Sequence, residues 1–165
     1  MLYYTSDLHL YHERILENRP FKDLGEMHNR IIYNWIQKVD MNDTVFILGD
    51  IGMYHTKEIS KILQCLPGKK ILITGNHDPG NLKDKRYKNC FAAIYPYKNI
   101  KDKGREVILC HYPIEDWDRR REGSYHLHGH IHKGRDQISE IPNRFNVNVE
   151  YRNYEPVTLD ELIES

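Results

Sequence analysis

The sequence lacks the closely spaced cysteine pairs that hold structural zinc or a disulfide framework. Its three cysteines, Cys65, Cys90 and Cys110, lie far apart, and no CxxC pair is present. An odd number of widely spaced thiols predicts reduced cysteines and therefore a cytoplasmic protein. The chain also lacks a run of about 18 apolar residues, the length that crosses a bilayer, and a secretory signal pattern at its start. We therefore expect no membrane partner.

An excess of charge of either sign is also missing. Lys plus Arg and Asp plus Glu both number 24, so the chain has no overall positive charge to attract nucleic acid broadly. No internal repeat, linker or low-complexity segment interrupts the 165 residues. This length suits one hydrophobic core, so we expect a single domain that spans residues 1–165.

Short apolar runs alternate with helical patterns in the N-terminal half. Three of these runs predict strands, at residues 2–5, 44–48 and 70–74. Between them, residues 23–39 and 56–66 predict helices, because apolar residues recur at helical spacing. This order is typical of an α/β sheet with parallel strands. The second half is richer in predicted strands, at residues 92–100, 105–110, 125–128 and 145–151.

Polar side chains that can bind metals follow several of these apolar runs. The motifs, in chain order, are Asp7-x-His9, Gly49-Asp50, Gly75-Asn76-His77-Asp78, Cys110-His111 and Gly129-His130-x-His132. Ligands of open α/β sheets gather outside the carboxyl ends of the strands. We therefore expect these side chains to meet at one edge of the sheet.

The GNH and GHxH motifs are the strongest evidence that these residues form a functional site. From the composition of the chain, a DxH motif is expected about 0.7 times by chance, whereas GNH and GHxH are each expected only about 0.04 times. The competing interpretation is that these residues are ordinary turn and cap residues. The occurrence of both rare motifs, each after an apolar run, disfavours that interpretation.

The types of side chain indicate which metals would bind. Asp, Asn and His without Cys favour Mn, Fe, Zn or Ni. The i, i+2 spacing of Asp7-x-His9 and His130-x-His132 can place both side chains on one face of an extended chain, although a sharp turn could aim them at different metals. Asp50 has the two oxygens needed to bridge two cations, which lie about 3.5–4 Å apart in dinuclear sites.

The motifs resemble those of the calcineurin-like metallophosphoesterase superfamily, whose pattern reads DxH, GD, GNH with an acidic residue after it, a lone His and GHxH. All five blocks occur in this order between Asp7 and His132. The segments 19–21, 148–151 and 156–157 also look like the small single-domain bacterial and phage phosphoesterases of that superfamily. The resemblance implies two packed mixed β-sheets flanked by helices, an αββα sandwich.

The resemblance also implies a set of roles. The implied ligands are Asp7, His9 and His132 for one divalent metal, Asn76, His111 and His130 for the other, and Asp50 as the bridge between them. With Mn²⁺ as the expected ion, a hydroxide shared by the metals would attack a phosphomonoester or phosphodiester. His77 would protonate the leaving oxygen as general acid, and Asp78 would hold the His77 ring in the right tautomer.

Further residues are candidates for substrate contacts. His12 and His55 follow the first two motif loops, where each could touch a phosphate oxygen or be an ordinary loop residue. A second candidate group is Trp117, Arg119, Arg120 and Arg121, which could bind a base and a phosphate or form a solvated turn. We expect an accessible phosphate ester as substrate, such as a nucleotide or a nucleic-acid end. The alternative is an inactive protein-binding module of the same fold, which the complete ligand set disfavours.

Overall fold

In the part of the chain that the structure describes, eight short strands form two four-stranded sheets. The first sheet contains β1 (Leu2–Thr5), β2 (Thr44–Ile47), β3 (Lys69–Ile73) and β4 (Ala93–Tyr95), in that order. The second sheet contains β5 (Tyr97–Asp102), β6 (Arg105–Cys110), β7 (Tyr125–His128) and β8 (Arg144–Asn146), also in order. The computed structural model describes residues 1–134 and 139–164.

Helices connect the strands of the first sheet and pack on it. The α-helices are α1 (Leu24–Lys38), α2 (Thr56–Cys65), α3 (Asp78–Asn81), α4 (Lys85–Lys88) and, after the last strand, α5 (Leu159–Glu164). Short 3₁₀ helices cover Glu13–Asn18, Arg120–Glu122 and Val149–Tyr151. Within residues 1–134 and 139–164, none of the helices combines the length and apolarity that a membrane crossing requires.

The first long helix forms where its apolar spacing and its cap predict it. The Asp23 side chain caps α1 by accepting a 2.8 Å hydrogen bond from the backbone N–H of Glu26. Met27, Ile31 and Trp35 recur at helical spacing and are buried against the first sheet. The Trp35 indole N–H also donates a 3.0 Å hydrogen bond to the carbonyl of Pro67, which ties α1 to the loop before β3.

Alternation along the strands of the first sheet creates two cores. Tyr3 and Val45 point to the side covered by the helices, whereas Tyr4 and Phe46 point to the second sheet. There they meet apolar side chains of β6 and β7, including Leu109. The predicted α/β fold, two packed sheets flanked by helices, is therefore confirmed.

Only the second sheet is mixed. The strands of the first sheet are all parallel because helical segments join them. In the second sheet a tight turn makes β5 and β6 antiparallel, whereas the other pairs are parallel. The predicted strand 92–100 is divided at Pro96, which has no N–H for a ladder, so its two halves join different sheets.

The Tyr4 hydroxyl provides a test of how the two sheets are joined. It donates a buried 2.9 Å hydrogen bond to Asp102 Oδ2, at the end of β5. Tyr4→Phe removes the donor and leaves a buried acceptor, so we expect the free energy of unfolding to fall by about 1–3 kcal/mol in urea titrations. Tyr33→Phe, at an exposed tyrosine of α1, should leave it unchanged. Equal stability of the two variants would contradict this role for Tyr4.

Candidate metal centre

The metal-binding motifs all follow the carboxyl ends of strands. Asp7 and His9 follow β1, Asp50 follows β2, Asn76 follows β3, His111 follows β6, and His130 and His132 follow β7. Parallel strands end at the same edge of a sheet, so each sheet presents its ligands together. The packing of the two sheets then brings both sets to one place.

The first group of ligands consists of Asp7, His9 and His132. Their potential ligand atoms all lie within 4.8 Å of one another. Asp7 Oδ1 is 3.8 Å from His9 Nε2 and 3.7 Å from His132 Nε2. Asp7 and His9 come from the first sheet and His132 from the second. One cation could therefore take ligands from both sheets.

The second group consists of Asp50, His111 and His130, whose ligand atoms also lie within 4.8 Å of one another. The carbonyl oxygen of the Asn76 side chain joins this group, because it lies 3.1 Å from His111 Nε2 and 3.1 Å from His130 Nδ1. Carboxylate, amide and imidazole donors suit divalent transition metals. The two groups together fit a dinuclear site.

Asp50 lies between the two groups. Its Oδ2 atom is 3.5 Å from His111 Nε2, in the second group, and 3.9 Å from His9 Nε2, in the first. The Asp50 side chain is almost completely buried. These distances fit a carboxylate that contributes to both cations.

His9 supplies an independent sign that a cation belongs here. Its Nε2 atom is buried and has no hydrogen-bond partner among the described residues. Buried ring nitrogens are nearly always paired, so this one requires an explanation. It faces Asp7 and Asp50, and a cation held between these three side chains would satisfy it.

The backbone of the ligand loops is strained. Asp7, His9, Asp50 and His130 have φ angles of 56°, 49°, 55° and 69°. Left-handed conformations cost residues with a Cβ roughly 1–2 kcal/mol each. Such strain concentrates at functional sites, where the surrounding structure holds it in place. Here backbone hydrogen bonds from Asp7 to Gly49 (3.0 Å) and from His9 to Asp50 (3.1 Å) hold the turn after β1.

The glycines of the two rare motifs are explained by close approach. A Cβ at Gly75 would collide with Asp50 Oδ1, and a Cβ at Gly129 would collide with Asp7 Oδ2. Only glycine lets the backbone pass this close to the ligand carboxylates. The glycines of GNH and GHxH are therefore part of the ligand geometry.

Hydrogen bonds on the far side of the rings orient the histidine ligands. His111 Nδ1 lies 2.7 Å from the Leu48 carbonyl oxygen, so we assign its proton to Nδ1 and leave Nε2 free to bind a metal. His132 Nδ1 lies 2.7 Å from Glu150 Oε1, which assigns the same tautomer. His9 Nδ1 faces His12 at 3.0 Å.

Glu150 and Arg19 form a buried support behind the first group of ligands. Arg19 Nε donates to Glu150 Oε1 at 2.9 Å, and another nitrogen of Arg19 donates to the Asp7 carbonyl at 2.6 Å. Burial alone would raise the pKa of Glu150, but the bond with His132 and the charge of Arg19 lower this pKa to about 2. Glu150 is therefore an anion that holds His132. Both residues lie in segments that look like the small single-domain phosphoesterases, although neither is among the predicted site residues.

Asp78 differs from its predicted role. The sequence predicts that it orients the His77 ring, whereas its carboxylate accepts hydrogen bonds from the backbone N–H groups of Gly75 (2.7 Å), Asp50 (2.9 Å) and Ile51 (3.3 Å). A buried carboxylate needs several donors, and these three N–H groups supply them. Asp78 thus joins the loops after β2 and β3.

His77 lies beside the ligands and faces a cavity of about 460 Å³. Its backbone N–H donates a 3.0 Å hydrogen bond to Asp50 Oδ1, and its Nε2 atom lies 3.8 Å from Asp50 Oδ2. About a third of the side chain is exposed (35%), unlike the buried His9 and His111. The cavity is also lined by five predicted ligands, namely His9, Asp50, Asn76, His130 and His132.

The two other histidine candidates have different positions. His12 lines the cavity, where burial and the neighbouring His9 and His77 lower its pKa to about 4. It is therefore neutral at pH 7 and can exchange a hydrogen bond with His9. His55 instead stacks on the ring of Tyr11, with the ring centroids 5.1 Å apart.

The predicted Trp117 and arginine group does not line the metal cavity. Trp117 is buried, and its indole N–H donates a 3.0 Å hydrogen bond to the Ser124 hydroxyl, so it is not free to stack on a base. Local acidic residues engage the arginines, with Arg119 3.1 Å from Glu122 and Arg120 3.9 Å from Asp116. Arg121, the third arginine of the run, lies on the surface. Substrate binding by this group is therefore not supported.

Comparison with solved structures shows that this fold occurs in other proteins. A novel archaeal phosphodiesterase shares the fold at 18% identity, with a TM-score of 0.52 and coverage of 89% of this chain and 81% of that one. A protein of unknown function from Aquifex aeolicus, AQ665, matches at 31% identity with a TM-score of 0.81, over 99% of this chain and 98% of that one.

Sequence comparison gives the family. The uncharacterized protein MJ1445 of Methanocaldococcus jannaschii is 31% identical over 172 residues, which cover 98% of this chain and 89% of that protein. The gene 66 protein of Mycobacterium phage L5 is 32% identical and covers 79% of this chain and 76% of its own length. No family model matches the chain. The chain belongs to the family of MJ1445 and the phage gene 66 proteins.

Glu150→Gln tests the support behind the first group of ligands. The substitution keeps the shape of the side chain but removes the charge that holds His132 and Arg19. Loss of such an outer partner typically weakens metal binding about 10–100-fold, so we expect a loss of this size for Mn²⁺ in titration calorimetry. Glu155→Gln, which alters a partly exposed partner of Lys38, should bind as wild type does. Unchanged affinity in Glu150→Gln would refute the supporting role.

Proposed function

We propose that the protein hydrolyses phosphate esters at a dinuclear metal centre. The observation that carries this proposal is the position of Asp50, whose Oδ2 atom lies 3.5 Å from His111 and 3.9 Å from His9. One carboxylate thus adjoins both groups of ligands, beside an open cavity. Two divalent cations bound there would neutralise phosphate charge and lower the pKa of water.

The side chains suggest a division of labour. The seven predicted ligands lie close together. His77 adjoins this set through its contacts with Asp50 and through its ring, which packs edge-on against the ring of His9 at 5.7 Å. A protonated His77 imidazole in the cavity can give its proton to the leaving oxygen, as a general acid does. Asp50, through its contact with His77, keeps the ring beside the phosphate. Asp78 supports this arrangement from behind by holding the Asp50 loop.

The donor set favours Mn²⁺, with Fe, Zn or Ni as alternatives, because it combines oxygen and imidazole donors without thiolate. The substrate class is a phosphomonoester or phosphodiester that reaches an open site. The three free cysteines favour a reducing compartment, the cytoplasm. We further propose that residues 1–165 act as one domain, because the sheets share a core.

The competing function is a protein-binding module that has lost its activity. Such a module has no need for a buried and unpartnered His9 Nε2 or for four ligand residues with a strained backbone. Both features carry a cost in stability that a cation would offset. They favour the hydrolase.

Metal removal and Asp50→Asn test the dinuclear centre. We expect chelation to abolish hydrolysis of p-nitrophenyl phosphate or bis(p-nitrophenyl) phosphate, and Mn²⁺ to restore it. Asp50→Asn should lose bound metal and at least about 100-fold of activity, because the bridging charge is gone. Metal content is measured by atomic emission, with the exposed Asp118→Asn as control. Full activity of chelated wild type would defeat the metal mechanism.

His77→Ala tests the acid role separately from metal binding. The variant should keep its metal yet react about 10²–10⁴-fold more slowly, the usual cost of a lost general acid. The loss should be largest with alkyl esters, because their leaving oxygens need the proton most. Kinetics with p-nitrophenyl and alkyl esters measure this difference, and His55→Ala serves as control. Metal loss equal to that of Asp50→Asn would remove the acid role from His77.

A further inference from the structure

A second cavity opens directly beside the metal cavity. It has a volume of about 670 Å³, and the two cavities share Met53, Asn76 and His77 as walls. The two spaces are therefore parts of one cleft, with His77 at their junction. A ligand that reaches the metals can extend past His77 into the second cavity.

The proposed hydrolysis indicates which part of the substrate would extend past His77 into the second cavity. The step that His77 assists is departure of the leaving oxygen, which must lie next to the His77 ring. The rest of the leaving group then continues on the far side of His77, away from the metals. This step of the inference depends on the proposed function.

The second cavity carries a positive charge without a partner. Lys83 lines it, and no ion pair of the Lys83 side chain occurs among the described residues. The neighbouring carboxylate, Asp84, is already engaged at 2.8 Å by Arg86 and at 2.7 Å by the hydroxyl of Thr56. Lys83 is therefore available for an anion.

An exposed aromatic ring also lines the second cavity. Tyr54 lines the second cavity, is 83% exposed and has a left-handed backbone with φ of 64°. Asn81 also lines this cavity; it is buried, and its side-chain amide donates a 2.7 Å hydrogen bond to the carbonyl of Gly52. An exposed ring beside a firm polar wall can take a flat group by stacking.

We propose that the second cavity binds the leaving group of a phosphodiester, and that this group is a nucleotide whose base packs on Tyr54 and whose own phosphate pairs with Lys83. The P–O bond to this nucleotide breaks with its electron pair on the leaving oxygen, and His77 supplies the proton. Water adds to phosphorus as hydroxide and releases one proton to the solvent, and His77 regains a proton from the solvent afterwards. A monoester with a small leaving group would leave the cavity empty.

Dinucleotides with and without a terminal phosphate test the proposal. The substrates are TpT and its two singly phosphorylated forms, pTpT and TpTp, in the presence of Mn²⁺. Lys83→Ala should lower kcat/KM about 10-fold for the form whose extra phosphate lies on the leaving side, the usual effect of one charge-assisted contact. It should leave TpT unchanged. Lys85→Ala, an exposed neighbour outside the cavity, should behave as wild type on all three.

Tyr54 is tested on the same substrates. Tyr54→Ala should raise KM about 10-fold for all three dinucleotides, since it removes one stacking surface. Tyr54→Phe keeps the ring and should behave as wild type, and Tyr33→Ala, at another exposed tyrosine, should have no effect. The two side chains are exposed, so the variants should fold, and thermal melting checks this.

The outcomes separate this proposal from the proposed function. A wild type that cleaves dinucleotides while both alanine variants match it would overturn the leaving-group site and leave the phosphoesterase intact. Cleavage of p-nitrophenyl phosphate without cleavage of any dinucleotide would do the same. A metal-loaded wild type that cleaves no phosphate ester would remove both.

Discussion

Buried carboxylates hold the edge of the candidate metal centre together by accepting N–H hydrogen bonds from distant loops. Asp7 accepts one from His130 at 3.0 Å, Asp50 accepts one from His77 at 3.0 Å, and Asp78 accepts one from Asp50 at 2.9 Å. A carboxylate taken out of water is costly unless donors replace the lost solvent. Each carboxylate therefore requires the neighbouring loop to stay where it is, and the loops that carry the ligands are positioned as one unit.

The packing of two sheets explains why there are two groups of ligands and why they adjoin. Asp7 and His9 leave the first sheet, whereas His132 leaves the second, so the first group exists only when the sheets are stacked. Asp50 and His111 repeat this pairing of sheets in the second group. The groups adjoin because β1 and β2 are neighbours in the first sheet and β6 and β7 are neighbours in the second. Strained turns at the strand ends then aim the side chains inward.

Prediction from the sequence succeeded where the signal is local. The side chains of the candidate metal centre could be recognised because rare motifs end apolar runs, and α1 because its apolar spacing and its Asp23 cap lie within one stretch of chain. Prediction from the sequence was less successful where the structure depends on contacts between residues that are distant in the chain. Pro96 sends β4 and β5 to different sheets, Trp117 fills an interior rather than a binding surface, and Asp78 bonds to backbone rather than to His77.

The order of residues alone predicts which side chains could bind metal and that they stand at strand ends. These properties depend on side-chain chemistry and on local apolar patterns, which a linear chain displays directly. The tertiary structure decides which side chains become partners. Glu150 pairs with Arg19, 131 positions away in the sequence, and holds His132 in place. Such choices depend on which donors remain unsatisfied after the sheets pack, and no local pattern encodes that.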